Sequence, residues 1–272
     1  MPLLTMQETE TMFPLFGGPA GNFLGRILMR LLSVDKINDL YDRHLDERGP
    51  DFARAVLEEI GVRYEIENKA LLNMLPEGTF ITISNHPYGS LDGLMLVDIF
   101  GHIRSDYKVM VNKILSRIDT MGDNFICVSP KGDQDNVPDG DSISGVRDAI
   151  RHVREGHPLG IMPSGAISDF SLRDFDVGDR EWQDSVIRLI RKLHVPIIPV
   201  AFRDRNSSFY YSLGLLSWKI RMLRLPAEVF NKRDRPEHIL LGDIITPECQ
   251  EKFDDLKSFS DFLRNSVYDL IK

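Results

Sequence analysis

His86 and Asp92 stand in the segment Asn85-His86-Pro87-Tyr88-Gly89-Ser90-Leu91-Asp92-Gly93, directly after the apolar run Phe80-Ile81-Thr82-Ile83-Ser84. An imidazole within hydrogen-bond reach of a carboxylate keeps one ring nitrogen protonated and leaves the other free to accept a proton. That is the equipment of a general base and the group that orients it. The same residues admit a structural reading, in which Ser90 or Asp92 caps a helix beginning near Leu91. From this segment alone both readings stay open.

Three other segments have the form of strands that end in, or are bracketed by, Pro/Gly turns. Gly160-Ile161-Met162-Pro163-Ser164-Gly165-Ala166-Ile167-Ser168 runs from an apolar stretch into such a turn, and Val195-Pro196-Ile197-Ile198-Pro199-Val200 is apolar between prolines. Gly122-Asp123-Asn124-Phe125-Ile126-Cys127-Val128 is a short strand that precedes both.

The elements that must position these residues alternate. Strands are expected at Arg63–Ile66, Thr79–Ser84, Tyr107–Val111, Asn124–Val128, Leu159–Met162, Ile197–Ala201 and His238–Leu241. Helices are expected at Leu91–Phe100, Lys113–Ile118, Ser144–Glu155 and Trp182–Leu193. This alternation predicts an α/β fold with a largely parallel, two-sided sheet, whose ligands bind at the carboxyl ends of the strands. His86 and Ser164 both fall at such ends.

The first 75 residues read as helical. Phe23, Leu24, Ile27, Leu28, Leu31 and Leu32 recur at helical spacing with Arg26 and Arg30 among them. That segment could pack on the core or lie in a membrane interface. Asp35 to His44 and Asp51 to Ile60 read as two amphipathic helices, with Gly61 closing the second. An α/β domain is expected over residues 76–245 and a C-terminal amphipathic helix over 246–272, carrying Leu256, Phe259, Phe262, Leu263, Val267 and Leu270. Ser212 to Leu225 mixes large apolar groups, Trp218 and three cations, followed by Lys232, Arg233 and Arg235. It reads either as an element for anionic lipid or as a core helix with a basic solvated face.

The 272 residues carry a net charge of −8 and are 42% hydrophobic, the composition of a globular protein whose main business is not non-specific nucleic-acid binding. Two cysteines, Cys127 and Cys249, offer neither a disulfide framework nor a metal site, and fit a reducing compartment. No apolar run reaches 18 residues, and Met1 to Met12 lacks the basic flank of a secretory signal. A cytoplasmic location, peripheral on the inner face of the cell membrane, is expected.

Together and in chain order, these segments resemble the four blocks of the glycerolipid (lysophospholipid) acyltransferase superfamily, over roughly residues 76 to 205. Leu40-Tyr41-Asp42-Arg43, the His86–Asp92 segment, Phe202-Arg203-Asp204-Arg205-Asn206-Ser207 and Asn231-Lys232-Arg233 extend the resemblance to its hemolysin-like branch. That branch includes lyso-ornithine-lipid O-acyltransferases and relatives acting on other aminoacyl lipids. The superfamily usually separates His and Asp by four residues, and here Pro87 to Leu91 make five. The extra residue would turn a helix by about 100° but can be absorbed in a glycine-containing loop, and the longer spacing is typical of this branch.

The resemblance implies direct transfer of a fatty acyl group from an acyl carrier protein or coenzyme A thioester to a lysolipid hydroxyl. His86 is then the base and Asp92 its orienting group, with backbone N–H groups around Ser164, Gly165 and Ala166 stabilising the oxyanion. Asn85, Arg203 and Arg205 join them as expected substrate contacts. No cofactor and no metal is implied. Phosphatidic-acid-forming members carry Glu and Arg where this chain has Ser164 and Ile167, and an arginine where it has Val128. Isoleucine cannot clamp a phosphate as arginine does, which favours an amino-acid lipid acceptor such as a lyso-ornithine or lyso-glycine lipid. Arg203, Arg205 or Lys232 could still supply charge, so 1-acyl-sn-glycerol-3-phosphate remains the alternative acceptor. A thioesterase, or a non-catalytic membrane-active or lipid-binding protein, are the rivals of other classes.

Other signals carry less. Asp133, Asp135, Asp139 and Asp141 lack the spacing of a calcium loop. His44, His102, His152, His157, His194 and His238 form no helical i, i+4 pair that would hold zinc. No Gly-x-Ser-x-Gly elbow occurs, and Cys127 falls mid-strand, the place of a buried structural thiol.

Overall fold

A computed structural model describes residues 33–128, 140–232 and 236–272. The expected helix around Phe23 to Leu32, most of the acidic segment from Asp133, and Arg233 and Arg235 lie outside these residues.

Helices α1 (Val34–Arg43) and α2 (Gly49–Glu59) lead into strand β1 (Arg63–Glu67). Gly61, at φ 75°, makes the turn between α2 and β1 that a side chain would resist. Then follow β2 (Ile81–Ser84), α3 (Ser90–Gly101), β3 (Lys108–Asn112), β4 (Phe125–Val128), α4 (Gly140–Arg154) and β5 (Leu159–Ile161). A hairpin of β6 (Asp169–Ser171) and β7 (Asp176–Gly178) comes next, then α5 (Asp184–Leu193) and β8 (Ile197–Phe202). The chain closes with α6 (Ser208–Leu216), α7 (Trp218–Val229), β9 (Pro236–Leu241), α8 (Pro247–Gln250) and α9 (Leu256–Tyr268).

Seven strands form one sheet in the order β1-β9-β8-β2-β5-β3-β4. The five from β8 to β4 are parallel, and β9 runs antiparallel to β8 while pairing in parallel with β1. The expected largely parallel α/β sheet is therefore present, with all seven expected strands in it. Its central strands are apolar on both faces, as a two-sided sheet requires. Along β8, Ile198, Val200 and Phe202 enter the core shared with α2 and α3, while Ile197 and Ala201 enter the one shared with α4, α5 and α9.

Three elements differ from the sequence expectation. Lys113–Arg117 is a single 3-10 turn, and the β6–β7 hairpin falls where no strand was expected. The Ser212–Leu225 stretch is divided between α6 and α7, because Ser217 is extended (φ −166°, ψ 131°) and breaks the helix.

α3 is buried nearly all round, so its sequence shows no polar face. Asp98 within it is held by Arg54 Nε at 3.1 Å and the Tyr64 hydroxyl. Such a fully enclosed helix fixes its own N-terminus firmly, and that terminus carries Asp92.

Candidate active site

β2 lies between β8 and β5, with Ile81 and Ile83 paired to Ile197 and Pro199 on one side and to Leu159 and Ile161 on the other. The turns leaving β2 and β5 and the end of β8 are thereby brought to one edge of the sheet, although they come from distant parts of the chain. In an open parallel sheet this edge is where a crevice for ligand forms.

His86 Nδ1 lies 2.6 Å from Asp92 Oδ2. The same carboxylate accepts the Gly89 N–H at 2.9 Å and the Tyr88 N–H at 3.1 Å. Asp92 thus caps α3 and faces the imidazole at once. The five-residue spacing closes because Gly89 takes φ 87° before the helix starts at Ser90. A Cβ on Gly89 would meet Ile167 Cδ1 at 2.9 Å and Leu225 Cδ2 at 3.2 Å, so a side chain there would be strained in the backbone and would have to displace those two side-chain ends.

Nδ1 of His86 is enclosed and Asp92 is fully buried, yet the histidine side chain keeps 17% of its surface exposed, away from that nitrogen. Burial opposes the imidazolium, but the Asp92 carboxylate, with help from Asp179, outweighs it and raises the His86 pKa above its ordinary value. Burial pushes Asp92 upward, against the pull of His86 and the two amides.

Asp179 is the group that the sequence did not single out. It is buried beside β7, where it accepts the His86 N–H at 3.1 Å, the Ser168 hydroxyl at 2.6 Å and the Trp182 indole N–H at 3.1 Å. Its own N–H donates to the Tyr268 hydroxyl at 2.7 Å. One residue therefore ties the β2 turn, the β5 turn and α9 together, the first two through its carboxylate and the last through its N–H, and burial raises its pKa. A lone Asp after a Val-Gly pair has no local signature that would reveal this.

The structure distributes the other expected site residues as follows. Asn85 is buried and commits both ends of its amide to Phe202, donating to its carbonyl and accepting its N–H, each at 2.8 Å. It fastens β2 to β8. Ser164 is buried with its hydroxyl on the Ala166 carbonyl at 2.8 Å. Gly165, at φ 61°, gives its N–H to the Met162 carbonyl and packs so closely on Gln183 that a Cβ would lie 2.0 Å from Nε2. The Ala166 N–H has no acceptor among the described residues. The Ser168 N–H bonds to the His86 carbonyl at 2.8 Å, which lays this turn against the histidine.

Arg203 pairs with Glu67 at 2.5 Å and Arg205 with Asp176 at 2.7 Å, both on exposed ground. The cation brought to the Ile167–Ser168 turn is instead Arg221 of α7, buried, 2.5 Å from Asp169 Oδ1 and 3.3 Å from the Ser168 carbonyl. Lys232 is buried over the Tyr88 ring at 4.8 Å, with its ammonium on the Arg205 carbonyl at 3.0 Å. Pro87 is braced by Asn206 at 3.1 Å and Tyr211 at 3.2 Å.

Ile167 is buried and apolar. Cys127 is half-buried rather than buried, and desolvation raises its thiol pKa, away from nucleophilic use. Two surface grooves, one beside Cys127 and Gly145 and one beside Arg54 and Asp98, contain neither His86 nor Asp92. No cluster of His, Cys, Asp or Glu suited to a metal ion occurs among the described residues.

Proteins named lyso-glycine lipid O-acyltransferase from Bacteroides thetaiotaomicron and Phocaeicola vulgatus are each 25% identical to the chain over 259 residues. Those alignments cover 91% of this chain and 90% and 88% of the two relatives. The crystal structure of the 1-acyl-sn-glycerophosphate (LPA) acyltransferase PlsC from Thermotoga maritima superposes with a TM-score of 0.49 at 12% identity, over 98% of this chain and 96% of that one. A family model described as acyltransferase matches residues 16–272. With nearly the whole sequence matched, the chain belongs to the acyltransferase family.

Proposed function

We propose that this enzyme moves a fatty acyl group from an acyl thioester to the hydroxyl of a lysolipid with an amino-acid headgroup, at a membrane surface. The observation that carries the reading is the buried His86–Asp92 pair at the carboxyl end of β2, with part of the imidazole left exposed. His86 Nε2 takes the proton of the acceptor hydroxyl as its oxygen attacks the thioester carbonyl. The tetrahedral intermediate collapses with loss of thiolate, which recovers that proton from His86, so ester and free thiol are the products. Asp92 holds the tautomer that leaves Nε2 unprotonated. With the Gly165 N–H engaged, the Ala166 N–H is the donor of this turn available to an oxyanion.

The amino-acid headgroup is supported by the names of the two relatives and by the apolar Ile167 and Val128 at arginine positions of phosphatidic-acid-forming enzymes. Acyl carrier protein or coenzyme A would carry the donor chain. The test is incubation with labelled acyl carrier protein and coenzyme A thioesters and a panel of lysolipids. Acylation of lyso-glycine or lyso-ornithine lipid is expected, and exclusive acylation of lysophosphatidic acid would overturn the acceptor assignment. Thioester loss without lipid product would mean a thioesterase. His86→Ala should lower transfer by roughly two orders of magnitude or more, and intact activity in that variant would leave only a lipid-binding role.

A further inference from the structure

Large apolar side chains are exposed on two neighbouring elements beside the site. At the tip of the β6–β7 hairpin, Leu172 and Phe175 point away from the protein, Phe175 being 80% exposed and held at φ 52°, a conformation that side-chain-bearing residues rarely adopt. At the corner between α6 and α7, Leu216 is 78% and Trp218 60% exposed, flanked by Phe209 and Ile220. The two elements are joined, since α6 packs on β6 and Arg221 pairs with Asp169 at 2.5 Å. A soluble surface scatters such residues singly, and a concentration of this kind marks an interaction face.

We infer that the hairpin tip and the α6–α7 corner form one face that docks on the headgroup layer of a lipid bilayer and presents the acceptor to His86. This deepens the proposed function and rests on it for the identity of the acceptor. Charge selects the occupant. In a chain of net charge −8, residues Ser208 to Leu225 carry no carboxylate; of their cations Arg221 is buried on Asp169 and Arg224 lies beside Glu228, which leaves Lys219 as the charge at the corner. Lys219 lies 5.8 Å from the Trp218 ring and forms no ion pair among the described residues. Tryptophan and lysine side by side, with aliphatic groups around them, suit the boundary between headgroups and acyl chains of an anionic membrane. The face is also wired to the chemistry: Arg221 bonds the Ser168 carbonyl, Leu225 packs near Gly89, and Tyr211 bonds the Pro87 carbonyl. No helix among the described residues is long and apolar enough to cross a membrane.

Vesicles of phosphatidylglycerol and phosphatidylcholine test the inference on the full-length protein. The Trp218 fluorescence should shift to the blue on vesicle addition, and the shift should vanish in Trp218→Phe, because Trp182 is buried and silent. Phe175→Ser, Leu216→Ser and Lys219→Glu should each reduce cosedimentation. They should lower kcat/KM for vesicle-borne acceptor roughly tenfold while leaving a short-chain, monomerically dispersed acceptor within about twofold. His86→Ala should bind vesicles like the parent, which separates failure of docking from failure of the catalytic reading. Absence of the Trp218 shift, meaning that residues 1–32 or a second copy already cover the face, would overturn the inference. So would unchanged vesicle binding in the variants, an equal loss on both acceptors, or a change of oligomeric state in Leu216→Ser.

Discussion

A single carboxylate joins local structure to the proposed chemistry: Asp92 caps α3 through the Gly89 and Tyr88 amides and lies against His86 Nδ1. Asp92→Asn should therefore lower both kcat, by roughly two orders of magnitude, and stability, by about 1 kcal/mol through the weakened cap. Steady-state kinetics and a thermal melt read the two separately, and a stability loss with undiminished kcat would reduce Asp92 to a cap. The pH dependence follows from His86. Its pKa is raised above the ordinary 6.5, mainly by Asp92 acting against burial, and the protonated ring cannot accept the hydroxyl proton. Activity should then fall as pH drops through that raised value, which places the acid limb of kcat/KM above 6.5. Asp179 contributes to the same elevation, so Asp179→Asn should move the limb to lower pH. A limb that stays put would show that Asp179 only braces the turn.

At the scale of elements, the site depends on how strand ends are fastened. Asn85 imitates a backbone residue, and its amide closes a two-bond clasp between the ends of β2 and β8. Asn85→Ala leaves the Phe202 N–H and carbonyl without partners in a buried setting, and should cost about 2–4 kcal/mol in urea unfolding. The expected result is a lower midpoint with an unchanged slope, while a neutral outcome would return Asn85 to the list of substrate contacts. Gly89 is the corresponding hinge of the β2 turn. Gly89→Ala imposes a strained φ and a clash with Ile167, and should destabilise by about 1–3 kcal/mol and slow turnover as Asp92 is displaced. Hairpin β6–β7 was not legible, because three-residue strands with no alternating burial leave no periodic trace.

For the whole molecule, the sheet order decides what meets what. β5 inserts between β2 and β3, and β8 takes the other side of β2, so three turns from different parts of the chain share one edge. The central strands are buried on both faces, whereas the hairpin is half-exposed and paired only within itself. Hydrogen exchange should accordingly be slowest in β2, β5 and β8 and fastest at the hairpin tip. Comparable protection of the hairpin in the lipid-free protein would argue against its being open for docking.

Much of this was written locally in the sequence. The central strands of the sheet follow from short apolar runs. The His86–Asp92 relation follows from two residues on one turn, whose separation only a few backbone angles control. Contacts that join distant segments could not be read in the same way. Asp179 beneath His86, Asn85 locked on Phe202, Arg221 at the Ser168 carbonyl, and the pairing of Arg203 and Arg205 with surface carboxylates all depend on strand order and helix docking. Hydrophobic patterning specifies which faces are buried, but not which buried polar group finds which partner. Only packing the elements together, under the demand that enclosed donors and acceptors be satisfied, decided that Asn85 clasps Phe202 and that Asp179 lies behind His86.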